Sequence, residues 1–115
     1  MAELLLDTDV VIDSLRGARD LDLPGEAAYS VITRCELFAG QGQDESVLRA
    51  LLGSFEEVAV DRRLAEFGGR LRRDHPQLKT PDALIAATAI AHDLALLTRN
   101  RRHFEPVPGL RLQAP

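Results

Sequence analysis

Short leucine-rich and valine-rich runs recur along the chain, separated by longer segments with helical periodicity. The runs at residues 3–6 and 94–98 each predict a buried β-strand, because they are short and mostly apolar. Residues 27–32 and 56–60 predict two further strands, and residues 110–112 predict a last strand at the edge of a sheet.

The segments between these strands predict helices and loops. The predicted helices are residues 9–16, 33–40, 44–55, 61–75 and 81–93, with a helical turn at 100–104. Glycine and proline predict loops over residues 17–26 and 76–81. The most apolar helix begins after Thr80, which we expect to cap it, with Pro81 as its first residue.

The alternation of strands and helices indicates an α/β protein with one twisted, mainly parallel sheet. Such a sheet is buried on both faces by helices, which gives a three-layer α/β/α arrangement. We expect four to five strands and a single domain over residues 1–115, because a chain of this length can bury a core of its own. Ligands of such sheets bind outside the carboxyl ends of the strands.

Composition narrows the class of protein. With 45% hydrophobic and 28% charged residues, the chain matches ordinary soluble proteins, and no segment has the length of a membrane span. A single cysteine, Cys35, excludes an internal disulfide and a cysteine-based zinc site, and its apolar helical surroundings predict a place in the core. The N-terminus does not resemble a signal peptide, so we expect a reducing, cytoplasmic setting.

Three carboxylates fall at the ends of predicted strands or the starts of predicted helices. Asp7 follows the first strand, Glu36 lies in the first turn of the helix after the second strand, and Asp82 lies in the first turn of the most apolar helix. Each has an ordinary structural explanation as well. Thr33 and Glu36 can form a capping box, Asp82 favours the positive end of a helix dipole, and Asp7 or Asp9 can cap the helix that follows.

Together the three carboxylates are harder to explain as structural residues. If their strands are neighbours, the three side chains crowd into one pocket, where like charges repel and raise one another's pKa. A divalent cation relieves that repulsion, and ligands that are all oxygen suit Mg²⁺ or Mn²⁺. Such a site hydrolyses phosphate esters, as in nucleases and phosphatases.

Several segments, taken in order, resemble the PIN-domain ribonucleases, and specifically the VapC-type toxins of bacterial toxin–antitoxin pairs. The matching segments are LLLDTDVVIDSLRG, SVITRCELFAG, TPDALIAATAIAHDLALLTRNRRHF and GLRL. The resemblance runs nearly end to end. It implies a metal-dependent endoribonuclease on a small PIN-like α/β fold, which hydrolyses RNA phosphodiester bonds.

Matching motif to motif implies the catalytic and metal-binding residues. The carboxylates that correspond to the family's metal-binding acids are Asp7, Glu36 and Asp82, and the implied cofactor is Mg²⁺ or Mn²⁺. The family often has a fourth acid near the T-R-N motif or before the following phenylalanine, where this chain has Asn100 and His103. Asn100 and Asp9 are the remaining candidates for a fourth ligand.

The same segments suggest supporting roles for their neighbours. Thr8 and Thr98 are expected near the acids, where they can orient the ligands. The candidate RNA-binding residues of the last basic cluster are Arg99, Arg101, Arg102 and His103. A solvated basic turn is an equally good explanation of these arginines, and the net charge of −4 argues mildly against general binding to nucleic acids. His75 and His92 are read as surface or helix-end residues.

The resemblance also implies partners. Toxins of this type form homodimers and are inhibited by a cognate VapB-type antitoxin, in heterotetramers or larger assemblies, with no membrane association. An antitoxin arginine in the acidic pocket would make physical sense. The apolar side chains between Val47 and Phe55 are either a groove for an antitoxin helix or part of the core.

Three other interpretations remain open. A PIN-like domain that binds RNA or protein without cutting is suggested by the missing fourth acid. A haloacid-dehalogenase-type phosphatase matches LLLDTDVV, but its later lysine and late acid pair have no counterpart, since Lys79 is the only lysine. A response-regulator receiver would use Asp61 after the third strand, but no lysine follows residues 94–98.

Overall fold

A computed structural model describes residues 2–17 and 26–115, so most of the predicted loop at 17–26 lies outside the described residues. The strands are β1 (Leu4–Leu6), β2 (Ala27–Ser30), β3 (Glu56–Val58), β4 (Ala95–Leu97) and β5 (Leu112–Gln113). The helices are α1 (Thr8–Leu15), α2 (Val31–Ala39), α3 (Glu45–Leu52), α4 (Arg62–Asp74), α5 (Thr80–Ala91) and α6 (Arg101–Phe104). Among these helices, none is long and apolar enough to cross a membrane.

The five described strands form one sheet in the order β3-β2-β1-β4-β5, and every pair is parallel. The predicted α/β fold with a parallel sheet is therefore confirmed. β1 lies at the centre, and the chain moves outward from it in opposite directions through β2 and through β4. This reversal opens a crevice at the carboxyl ends of the central strands, which is where ligands bind in such folds.

The alternation of side chains along β1 divides the core into two layers. Leu4 and Leu6 pack with α1, α2 and α3 on one face of the sheet. Leu5 packs with α4, α5 and the residues around α6 on the other face. Because successive side chains of a strand point to opposite faces, a strand covered on both sides is apolar throughout, which explains the unbroken leucine run.

The start of α2 differs from the prediction. Ser30, rather than Thr33, is the N-cap, and its hydroxyl accepts a hydrogen bond from the amide of Ile32 at 3.1 Å. The predicted capping box between Thr33 and Glu36 is therefore wrong, and Glu36 lies in the second turn of the helix. Serine and threonine are both good N-caps, so the sequence alone did not separate the two registers.

Two smaller predictions also need correction, and an alternative that the sequence left open on α3 is decided. α5 begins at Thr80 itself, with Lys79 as an N-cap that makes no side-chain capping bond. Cys35 is exposed, since Thr33 and Leu37 define the buried side of α2 and Cys35 lies between them in sequence. On α3, Leu48 and Leu52 belong to the core while Val47 is 51% exposed, so most of the proposed apolar groove is core packing.

α4 and α5 pack closely because of a glycine. An ideal Cβ on Gly68 would lie 2.8 Å from Cδ2 of Leu84, which is too close for an unshifted side chain. The neighbouring Gly69 is exposed, and a Cβ there would meet nothing within 4 Å. Gly68 therefore serves the packing of α4 on α5, the helix that carries Asp82.

Replacing Gly69 with alanine is expected to stabilise the protein by about 1 kcal/mol, because glycine is a poor residue inside a helix and the space is open. Gly68→Ala is the matched variant, with a smaller gain or a loss, since Leu84 must move. Urea denaturation of both variants measures the difference. An equal gain in both would show that Gly68 does not set the spacing of the two helices.

Candidate active site

The carboxylate of Asp7 lies at the carboxyl end of the central strand and is only 4% exposed. One oxygen, Oδ1, accepts a hydrogen bond from the amide of Thr8 at 2.9 Å, so Asp7 caps α1. The other, Oδ2, accepts from the hydroxyl of Thr98 at 2.7 Å, just beyond β4. Because β1 and β4 are neighbours, the two strand ends bring these residues together.

Burial raises the pKa of Asp7 from 3.8 to about 6. The hydrogen bonds from Thr98 and Thr8 work in the opposite direction, and the nearby charges of Asp9 and Asp82 add to the increase. The protein therefore holds this carboxylate where its negative charge is costly, among other carboxylates. A bound cation would offset that cost.

Asp82 and Asp9 complete this negatively charged region. Asp82 lies in the first turn of α5 with its side chain 28% exposed. Burial raises its pKa, His103 and Lys79 oppose the increase, and Asp9 adds to it. Asp9 contributes to the raised pKa of both Asp7 and Asp82, so its side chain lies within electrostatic range of each.

Glu36 is held at one side of this group by two threonines. The hydroxyl of Thr8 donates to Oε1 of Glu36 at 2.7 Å. The hydroxyls of Thr8 and Thr33 are 2.9 Å apart, and since Thr8 has already donated its one proton, Thr33 is the donor to Thr8. Thr33, which is fully buried, therefore supports Thr8, which in turn fixes Glu36.

The segment after β4 supplies backbone support and basic side chains. The hydroxyl of Thr98 accepts a hydrogen bond from the backbone amide of Asn100 at 2.9 Å, and Asn100 itself is exposed. Arg99 pairs with Asp13 on α1, with 2.9 Å between Nε and Oδ2. Arg101 and Arg102 are exposed and make no ion pair with the residues that the structure describes.

His103 is closer to the acids than the sequence indicated. Its Nε2 atom lies 3.1 Å from Oδ2 of Asp82, and its ring packs edge-on against Phe104. The sequence predicts His103, together with the neighbouring arginines, as an RNA contact. The sequence carries one signal for the placement of His103. His103 directly precedes Phe104, and the burial of Phe104 orients the short helix α6 that carries both residues.

The carboxylates do not form a closed metal cage as they stand. Within residues 2–17 and 26–115, no three histidine, cysteine, aspartate or glutamate side chains converge closely enough to hold an ion. The donor set nevertheless suits a hard divalent cation, since it consists of carboxylate oxygens, and burial together with repulsion between the carboxylates raises the pKa of Asp7 and of Asp82. A bound cation would require the side chains to move closer together.

Comparison with known proteins gives the family. A family model described as the PIN domain matches residues 4–110. The chain belongs to the PIN-domain family. This match, together with the parallel sheet, confirms the resemblance seen in the sequence, and it leaves the phosphatase and receiver interpretations without support.

Relatives of known name extend the match to nearly the whole chain. Ribonuclease VapC19 of Mycobacterium tuberculosis is 38% identical over 120 residues, which cover 93% of this chain and 96% of that protein. Ribonuclease VapC10 of the same species is 40% identical, with 88% and 85% covered. Ribonuclease VapC1 of Methanocaldococcus jannaschii is 33% identical, with 90% and 80% covered.

Solved structures show the same fold in toxin–antitoxin assemblies. A toxin–antitoxin complex from Klebsiella pneumoniae contains a chain that is 34% identical, with a TM-score of 0.79 and coverage of 93% of this chain and 94% of that one. A chain of VapBC2 from Rickettsia felis, bound to a DNA fragment from their promoter, is 26% identical with a TM-score of 0.82, covering 96% and 97%.

Asp7→Asn is expected to stabilise the protein in EDTA at pH 7. The folded pKa of Asp7, about 6, exceeds its ordinary value of 3.8, so the protonated carboxyl stabilises the fold below 3.8 and this contribution is lost as the pH rises through 6. The loss is on the order of 2–3 kcal/mol, and a neutral asparagine avoids it. Thermal melting at pH 7 and at pH 4 measures the effect.

The difference between the variant and the wild type should shrink at pH 4, where both side chains are mostly uncharged. Glu66→Gln, on the exposed side of α4, removes a charge without burial and serves as the control. An Asp7→Asn protein that melts below the wild type at pH 7 in EDTA would contradict the assigned cost of this carboxylate.

Proposed function

We propose that this protein is a VapC-type endoribonuclease toxin that depends on a divalent metal ion, with the whole chain forming one PIN domain. The observation that carries the proposal is the buried Asp7 carboxylate beside Asp9 and Asp82 at the carboxyl ends of the central strands. The chain is similar over most of its length to relatives named ribonucleases, and this similarity supports the proposed reaction class.

The residues proposed to hold Mg²⁺ or Mn²⁺ are Asp7, Glu36 and Asp82, with Asp9 as a further acidic ligand. Asp7 is already fixed by Thr8 and Thr98, so it can coordinate without losing side-chain freedom. Glu36 would turn from the Thr8 hydroxyl or bind through its free oxygen. Asn100 is a weaker candidate, because the hydrogen bond that joins it to Thr98 comes from its backbone amide and does not orient its side chain.

Asp7, Glu36 and Asp82 would hold the divalent cation, which would lower the pKa of a bound water and offset negative charge on the phosphate oxygens. The protein's own residues position the reacting groups. The threonines keep the carboxylates oriented, and the raised pKa of Asp7 marks the electrostatic strain that a cation relieves. Arg101 and Arg102 are proposed to contact RNA phosphates beside the site, whereas Arg99 is engaged with Asp13.

A VapB-type antitoxin is the proposed inhibitor, and the related complexes support it. A groove between α1 and α2 is lined by apolar, polar and charged side chains, which are Ile12, Leu15, Arg16, Glu36, Leu37, Gln41 and Gln43. We propose that an antitoxin segment docks there with an apolar side chain against Ile12, Leu15 and Leu37 and a cationic side chain towards Glu36. Without antitoxin, we propose a homodimer, which light scattering would detect as twice the chain mass of 12.6 kDa.

A domain that binds RNA without cutting it is the second candidate. The observation that favours it is the absence of a fourth acid in the segment that follows Thr98, where Asn100 and His103 stand. Against it, a pocket of carboxylates with no cation repels RNA phosphates, so such a pocket would weaken binding alone. The cleavage assay below separates the two functions.

Asp82→Asn is expected to lower RNA cleavage by about a hundredfold or more, equivalent to roughly 3 kcal/mol of transition-state stabilisation. The assay incubates the purified, antitoxin-free protein with total RNA and Mg²⁺ or Mn²⁺, with EDTA as a second control. Glu66→Gln should cleave as the wild type does. Added VapB-type antitoxin should stop the reaction, and no cleavage by folded wild-type protein with either metal would favour the binding-only function.

Changing both Arg101 and Arg102 to glutamine is expected to raise KM for RNA while leaving kcat nearly unchanged. If each arginine meets one phosphate, the slope of log affinity against log salt should fall by about 1.4 in total. Arg111→Gln is the control, because Arg111 pairs with Asp93 and both residues precede their strands, at the amino ends of β4 and β5 and away from the carboxyl ends that carry the site. An unchanged salt dependence would exclude the two arginines from RNA binding.

A further inference from the structure

The Nε2 atom of His103 is buried without a well-aligned hydrogen bond in the described part of the chain. Nε2 is shielded from solvent and makes no well-aligned hydrogen bond with any residue that the structure describes. A buried polar atom without a partner costs about 1–3 kcal/mol, so native proteins rarely leave one in place without a function. The atom next to it is an acid oxygen of the candidate site, Oδ2 of Asp82 at 3.1 Å.

The spacing of these two atoms suits a shared metal ion. Adjacent ligands of an octahedral ion with metal–ligand distances of about 2.1 Å lie about 3 Å apart. Nε2 and Oδ2 are 3.1 Å apart, and the misaligned hydrogen bond leaves the nitrogen unpaired. Without an ion the two atoms form an ion pair when His103 is protonated, and the same distance would let both bind one ion as neighbouring ligands.

The ring of His103 is fixed in this orientation before any ion binds. It packs edge-on against Phe104, with the ring centroids 5.7 Å apart and the planes at 84°. Phe104 is itself only 1% exposed and belongs to the core on the α4–α5 side of the sheet. The His103 side chain is 26% exposed, and its contact with Phe104 limits the orientations of the ring, which lowers the side-chain entropy lost on coordination.

We propose that Nε2 of His103 is a ligand of the divalent cation and that it makes the site prefer a transition-metal ion such as Mn²⁺ to Mg²⁺. The inference rests on the proposed metal site and specifies its fourth ligand. Imidazole nitrogen binds first-row transition ions well, whereas Mg²⁺ prefers oxygen ligands and gives up its waters reluctantly. His103 would thus take the place of a fourth carboxylate while changing which ion is preferred.

Binding of Mn²⁺ and Mg²⁺ to the antitoxin-free protein tests the proposal without any RNA. Pulsed electron paramagnetic resonance of the Mn²⁺-loaded wild type should show coupling to an imidazole ¹⁴N nucleus. His103→Ala should lose that coupling and about tenfold or more of Mn²⁺ affinity, with a much smaller change for Mg²⁺. His103→Asp should restore an all-oxygen site and raise the affinity for Mg²⁺ relative to Mn²⁺.

His92→Ala is the matched histidine control, because His92 lies at the opposite end of the sheet, near Ala2 and Leu94. It should keep both the nitrogen coupling and the affinity. Since the coupling is measured first in the wild type, an unfolded His103→Ala protein would not leave the proposal untested, and His103→Gln provides a second variant that lacks imidazole.

Three results would overturn the proposal. One is Mn²⁺-loaded wild type without nitrogen coupling, and another is a protein that binds no Mn²⁺. The third is an equal loss of Mn²⁺ and Mg²⁺ affinity in His103→Ala, which would mean that His103 only positions Asp82. If nitrogen coupling is present but RNA is not cleaved, the proposed ribonuclease function fails and the ligand assignment stands.

Discussion

The carboxylate of Asp7 is buried between the ends of β1 and β4, where it accepts hydrogen bonds from the amide of Thr8 and the hydroxyl of Thr98. Two short hydrogen bonds compensate only part of the cost of burying a charge, and neighbouring carboxylates increase that cost. The surrounding elements reduce this cost. The amide of Thr8 at the amino end of α1 and the hydroxyl of Thr98, directly after β4, donate the two hydrogen bonds, and the pairing of β1 with β4 holds the donors in place.

The fold thus holds a carboxylate with an unfavourable charge in a fixed orientation, as is common at sites that bind cations. The hydroxyl chain from Thr33 through Thr8 to Glu36 has the same character, since each group is oriented by the one behind it. The buried charge of Asp7 lowers the free energy of unfolding, and a bound cation would restore that free energy as part of its binding affinity.

Much of this was predictable from the sequence, and the reasons are local. The leucine run ending in Asp7 predicts a central strand with a carboxylate at its end, and the apolar 81–93 segment predicts a buried helix with Asp82 in its first turn. The start of α2 was not predictable, because Ser30 and Thr33 are both capable caps and only tertiary packing chooses between them. The exposure of Cys35 follows from that same choice.

The contact between His103 and Asp82 could not be predicted from the sequence, for a different reason. It joins α5 to α6, the helix that follows β4, and its geometry depends on how Phe104 packs into the core. Periodicity indicates which residues are buried but does not give the angle of a four-residue helix such as α6. The family likeness locates the segment, while the distance from Nε2 to Oδ2 comes only from the three-dimensional structure.

The central position of β1 also bears on the synthesis of the chain. Thr98 follows its partner Asp7 by 91 residues, and β4 must pair with β1 before the two side chains can meet. During synthesis on the ribosome, Asp7 therefore lacks these surroundings until Thr98 has been added and β4 can pair with β1. A chain that stops before β4 would carry the Asp7 carboxylate without the assembled pocket, so the candidate site can form only after residue 98 has been made.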